Sequence, residues 1–232
     1  RDCITQKRRI SVVFLVDESK SLVGNSKRPG NDPFGLRVLP MEGFVKSLVS
    51  YNEDQVDKIE MTAAIFGFGA SFVERQSWMT LDANSLDGFN QKIKDQGNLN
   101  GDLYTRYHVA LKGAVNAFDS DPNGTDTCRI LYWFSDGEHD DNDDSGLSET
   151  EVNQIKNQVC NANGLADQLR SKGVYLFALG LNRDANQTQL MRLIASNEGP
   201  FKSRTFTFQS GGCGVLPARG TYVFALNTAE IG

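Results

Sequence analysis

Residues 12–22 read VVFLVDESKSL. An apolar run from Ile10 to Val16 stops at Asp17, and Ser19 and Ser21 then occupy alternate positions. A run of this kind, apolar at every position, predicts a strand buried on both faces, as in a parallel sheet covered by helices. The pattern returns at 129–137, RILYWFSDG, where a buried run again ends in an acid, Asp136. VYLFALGL at 174–181 is a third such run, and TYVFAL at 221–226 reads as the last strand. MTAAIFGF (61–68) and SFVERQSW (71–78), joined at Gly69-Ala70, read as a hairpin.

The segments between these runs have helical spacing. Leu39, Phe44, Val45, Leu48 and Val49 predict a helix over 39–51, with Pro40 in its first turn. A short helix is expected at 85–93 and a longer one at 105–118, ended by Asp-Pro-Asn-Gly. Residues 149–172 predict one long helix or a broken pair, stopped by Gly173, and 187–196 a final helix. Long polar, Gly-rich loops fill 24–37, 138–148 and 197–219, and no internal repeat is visible. The fold class is therefore α/β, a doubly wound, mostly parallel sheet flanked by helices, with the hairpin supplying one antiparallel edge strand.

The chain has 232 residues, 39% hydrophobic and 23% charged, which is ordinary globular composition. A net charge of -5 argues against non-specific binding to nucleic acid or an anionic membrane, since either requires a basic face. No stretch approaches the roughly 20 apolar residues that span a bilayer. The chain opens on Arg1, which reads as a processed or cropped N-terminus. Four cysteines, Cys3, Cys128, Cys160 and Cys213, contain no CxxC pair, so a zinc ribbon or thioredoxin-type site is not expected. Composition leaves four buried thiols and two disulfides equally open.

In an open α/β sheet, ligands bind beyond the carboxyl ends of the strands, where the winding reverses. Asp17 and Asp136 both end strands at that edge, and Ser19 and Ser21, in an extended loop, point the way Asp17 points. Thr105, in the junction DLYTRYHVAL, reaches the same edge if its helix packs back on the sheet. Two carboxylates and three hydroxyls are hard oxygen donors, suited to Mg2+ or Mn2+ in a shell completed by water. Two negative charges barely neutralise a divalent cation, which retains an affinity for one more anionic oxygen. Such a site suits gripping an external carboxylate better than hydrolysis, because nothing nearby is placed as a base.

Asp17-x-Ser19-x-Ser21, a later Thr105, and Asp136-Gly137 after a buried strand resemble the metal-ion-dependent adhesion site of von Willebrand factor A domains, also called integrin I domains. TRYHVALKGA (105–114) is similar to the family's Thr-x-Tyr-x-x-Ala-Leu helix start, and AAIFGFGASFVERQSW (63–78) to its second and third strands. The resemblance covers about 10–226 and reads the whole of 1–232 as a single domain. It implies a six-stranded sheet ordered 3-2-1-4-5-6, with strands one and four adjacent at the reversal. It also implies a metal held by Asp17, Ser19, Ser21, Thr105 and Asp136, directly or through water, and a protein ligand whose Asp or Glu completes the shell. Two departures stand out. Tyr104 occupies a position where Gly is common, and the family's C-terminal helix is missing after NTAEIG, which reads as truncation.

The implied topology also bears on the cysteines. Cys3 and Cys128 each precede a central strand, and those strands are neighbours in the family sheet, which pairs Cys3 with Cys128 and leaves Cys160 with Cys213. Disulfides imply a secreted or cell-surface protein. An intracellular A domain that assembles a multiprotein complex is the competing reading, and it would lack them.

Other signals are weaker. DGEHDDNDDSG (136–146) contains the start of an EF-hand-like loop, but Val152 stands at the twelfth position from Asp141, and the register from Asp140 puts Ser145 where Gly belongs. A solvated loop is the preferred reading of 138–146, with an additional Ca2+ as the alternative. His108 and His139 have no evident nucleophile partner, and no GxSxG elbow exists, so no enzyme is expected. Gly67-x-Gly69 is not followed by a helix and is no dinucleotide fingerprint. Asn123-Gly-Thr and Asn186-Gln-Thr are sequons, which matter only in a host that glycosylates.

Overall fold

The apolar runs form the middle of one sheet. A computed structural model describes residues 9–25, 28–137, 149–181, 188–197, 201–202, 207–208 and 213–225. Its main strands are β1 (Arg9–Asp17), β2 (Glu60–Phe68), β3 (Phe72–Thr80), β4 (Cys128–Ser135), β5 (Tyr175–Leu181) and β6 (Gly220–Ala225). Their order is β6-β5-β4-β1-β2-β3, and every neighbouring pair is parallel except β2 with β3. This is the 3-2-1-4-5-6 order, with the hairpin strand β3 at one edge. Two-residue antiparallel ladders join 24–25 to 28–29 and 201–202 to 207–208.

The helices are α1 (Val38–Glu53), α2 (Leu86–Gln96), α3 (Tyr107–Asp119), α4 (Glu149–Gln154), α5 (Leu165–Ser171) and α6 (Gln189–Ser196). Alternation along β1 divides the core in two. Val12, Phe14 and Val16 face α1 and α2, packing with Met41, Val45, Phe89 and Ile93. Val13 and Leu15 face the other layer, with Tyr107 and Leu111 of α3, Leu169 of α5 and Leu190 of α6. Both faces of β1 are thus covered, which is why its sequence shows no polar alternation.

One helix start differs from the sequence reading, and one alternative that it left open is decided. The helix after Thr105 starts at Tyr107, because Arg106 is still extended and its N–H donates to Gly69 O at 3.2 Å. The 149–172 segment is a broken pair: α4 widens into a π-helical stretch over Ile155–Cys160, and the chain turns through Asn163, at φ 64°, before α5. Cys160 forms a disulfide with Cys213. Gly214 N donates to Cys160 O at 2.8 Å, and Arg170 donates to the carbonyls of Cys213, Leu216 and Ile194. Cys128 is also disulfide-bonded, whereas Cys3, its expected partner, lies outside the described residues. So do the acidic loop 138–146, His139, Asn186 and the segment after 225.

Asn123 of the first sequon is used inside the fold, where its amide donates to Ser11 Oγ at 3.2 Å and Thr62 Oγ1 at 3.1 Å. Among the described residues no helix is long and apolar enough to cross a membrane.

Candidate metal centre

β1 ends on Asp17, one residue past the pairing of Val16 with Phe134, and β4 ends on Ser135, so Asp17 and Asp136 emerge side by side where the winding reverses. Both are fully buried. The stretch after Asp17 is not extended throughout. Ser19 N donates to Asp17 Oδ1 at 2.8 Å, and a 3-10 turn at Lys20–Leu22 folds the chain back. That turn sets Ser19 Oγ 2.8 Å from Ser21 Oγ, and Ser21 Oγ donates to Asp136 Oδ1 at 2.8 Å. Ser19 Oγ lies 3.5 Å from the same oxygen.

Thr105 is buried beside Gly137: a methyl group added to Gly137 would lie 3.6 Å from Thr105 Oγ1. The five residues singled out in the sequence therefore meet at one place, four of them linked by hydrogen bonds. Tyr104, the departure next to Thr105, is half-buried, with the Arg106 guanidinium 4.7 Å from its ring centre.

Residues not foreseen complete the surroundings. Ser135 Oγ donates to Asp17 Oδ2 at 2.6 Å. Its position two residues after Trp133 puts it on the α3 face of β4, a signal readable from strand alternation. Tyr107 OH donates to Gly137 O and lies 3.4 Å from Ser135 Oγ. Burial holds that phenol well above its ordinary pKa, so it remains a donor. Asn31 Nδ2 donates to Asp136 Oδ2 at 3.0 Å. Its loop is fixed by Asn31 N to Ser21 O and Asp32 N to Leu22 O, and by a fully buried Arg37–Asp32 pair at 2.8 Å. Arg37 also donates to Gln96 O and Leu99 O, tying this loop to the end of α2. Nothing local in 24–37 announced these links.

The electrostatics fit a cation. Burial raises Asp17 to about 6 against hydrogen bonds from Ser135 and Ser19 that favour its charged form. Burial and then the charge of Asp17 raise Asp136 to about 7. Two buried carboxylates brought together without a counter-ion oppose each other's ionisation, and a divalent ion between them reverses that cost. The remaining donors are hydroxyls, and among the described residues no three of His, Cys, Asp and Glu converge. Hard oxygens with low total charge fit Mg2+ or Mn2+ with water in the remaining positions.

The family model for the von Willebrand factor type A domain matches residues 11–212. No curated protein sequence matches the chain. Among solved structures, the PilB minor pilin from Streptococcus sanguinis is similar at TM-score 0.62 and 14% identity, over 97% of this chain and 59% of the pilin. The manganese-loaded TRAP protein of Plasmodium vivax is similar at TM-score 0.55 and 17% identity, over 96% of this chain and 70% of that one. Proximal thread matrix protein 1 from the mussel byssus, with zinc in its MIDAS motif, matches at TM-score 0.52 and 14% identity, over 96% and 45%. At these identities the likeness concerns the fold.

Proposed function

The chain belongs to the von Willebrand factor type A domain family, and from that premise we propose that it is a single metal-dependent adhesion domain that binds a protein ligand. Asp17, Ser19, Ser21, Thr105 and Asp136 hold Mg2+ or Mn2+, directly or through water. When bound, the cation would supply Lewis acidity toward an Asp or Glu carboxylate of the partner. The observation that carries this reading is the pair of fully buried carboxylates, Asp17 and Asp136, surrounded by hydroxyls at the sheet's reversal. Ser19, Ser21, Ser135 and Asn31 orient those carboxylate oxygens, and Tyr107 fixes the Gly137 carbonyl behind them.

Two proteins of the same fold are described with manganese and with zinc, which supports a divalent ion. The Cys160–Cys213 disulfide supports a secreted or cell-surface location and counts against an intracellular assembly domain. Among the described residues the site presents no base besides the two carboxylates proposed to hold the ion, which favours binding as its chemistry. Calorimetric titration with Mg2+ tests the reading: the parent binds one ion and Asp17→Ala does not. An Asp17→Ala variant that binds Mg2+ like the parent ends it.

A further inference from the structure

Glu18 stands between two site residues yet turns away from the site. Its side chain is 7% exposed, and Arg75 of β3 grips it through Nε to Oε1 at 2.8 Å and Nη2 to Oε2 at 2.5 Å. The carboxylate lies directly over Gly67, where an added methyl would fall 1.8 Å from Glu18 Oε1. A methyl at Gly69 would fall 2.4 Å from Asp102 Oδ2. Asp102 in turn holds the metal loop by its main chain, N to Glu18 O at 3.0 Å and O from Lys20 N at 2.8 Å. The Gly67-x-Gly69 pair is thus a seat for two acids of the loops around the site. Arg75, its side chain 30% exposed, lines an open groove of about 520 Å3 together with Glu18, Asn98 and Asp102.

We propose that Arg75 is the charge-balancing residue of the metal site: by holding Glu18 against β2 and β3 it keeps a third carboxylate out of the cation's field, and so preserves the cation's demand for a ligand carboxylate. The proposal rests on the metal reading above. Asp17 and Asp136 alone neutralise a divalent ion. Glu18, covalently next to Asp17, would over-neutralise it if uncompensated. The planar guanidinium suits the task, since two parallel bonds fix the carboxylate's direction as well as its charge. A mechanical brace would make the opposite prediction for one variant, which gives the test its sign.

The probe is Mn2+ alone, titrated into the full chain and followed by the electron-spin resonance of the free ion. One uncompensated unit charge near a divalent ion, in a largely aqueous dielectric, changes its affinity by about three- to tenfold. Arg75→Gln, with Glu18 uncompensated, is therefore expected to bind Mn2+ more tightly by that factor. Glu18→Gln, with Arg75 uncompensated, binds it more weakly by a similar factor, and the double variant returns to within about twofold of the parent. Acetate, as the simplest carboxylate, binds the Mn2+-loaded parent more tightly than Mn2+-loaded Arg75→Gln, and equal binding overturns the proposal. If both single variants weaken Mn2+ binding and the double is no better, the pair is only a brace and the proposal fails.

Should circular dichroism show Arg75→Gln unfolded, Arg75→Lys and Glu18→Gln decide. Parent-like Mn2+ binding in the first with weaker binding in the second supports the proposal, and parent-like or tighter binding by Glu18→Gln overturns it. A parent that binds no Mn2+ overturns the metal reading and this proposal with it. A parent that binds while both single variants match it overturns this proposal alone.

Discussion

Burial raises Asp17 to about 6 and Asp136 to about 7, against 3.8 for an ordinary Asp. In the metal-free protein, the folded state therefore binds more protons than the unfolded chain between about pH 4 and 7. Stability that depends on raised carboxyls is present at low pH and lost as pH rises through the folded values. Thermal melts in EDTA are expected to climb by a few degrees as pH falls from about 8 to about 5.5, with Asp136→Asn losing most of that gain. Metal affinity runs the other way, because protons and cation compete for the same oxygens. Asn31 acts on one of those oxygens, so Asn31→Ala is expected to weaken Mn2+ binding about tenfold while the fold persists. At this scale the sequence announced the oxygens proposed to hold the ion and not those that aim them. Asp17 and Asp136 stand out because each ends an apolar run. Asn31 sits in an unremarkable polar loop, and its target is 105 residues away.

Strands were more legible than helix ends, for a physical reason. An apolar run buried on both faces admits one reading, whereas the start of α3 depends on Arg106 N reaching Gly69 O, a contact no local pattern encodes. The break between α4 and α5 has a similar origin. Cys160 is joined to Cys213 across 53 positions, and the chain needs the turn at Asn163 and Gly164 before it can helix again. Closing a loop of that size contributes about 4 kcal/mol in the chain-entropy account, so a Cys160→Ser/Cys213→Ser double variant is expected to lose up to that amount in urea unfolding. Arg170 supports the same junction with donors to three carbonyls and Asn197 Oδ1 while its side chain is 2% exposed. Arg170→Ala strands those acceptors and Asp167, and about 3–5 kcal/mol is the expected cost for a broken buried ion pair. A loss below about 1 kcal/mol in either case would show the 213–217 segment to be held by other contacts.

At the scale of the molecule, the sheet's reversal gathers residues from four parts of the chain: the 17–21 loop, the 31–37 loop, Thr105 and the end of β4. Each of these segments is anchored by contacts independent of any ion, including Arg37 to the end of α2 and Glu18 to β3. The proposed site is thus held by contacts that need no ion, and on that reading an ion stabilises the native state by mass action alone. At one hundred times its dissociation constant, Mg2+ is expected to add about 2.7 kcal/mol to unfolding free energy. Because the unfolded chain and the native surface stay the same, the urea midpoint should rise while the slope of the transition is unchanged. Asp17→Ala should show neither effect. A steeper slope with Mg2+ would mean that the ion orders part of the chain on binding, and the four segments would then be a site assembled by the metal rather than one waiting for it.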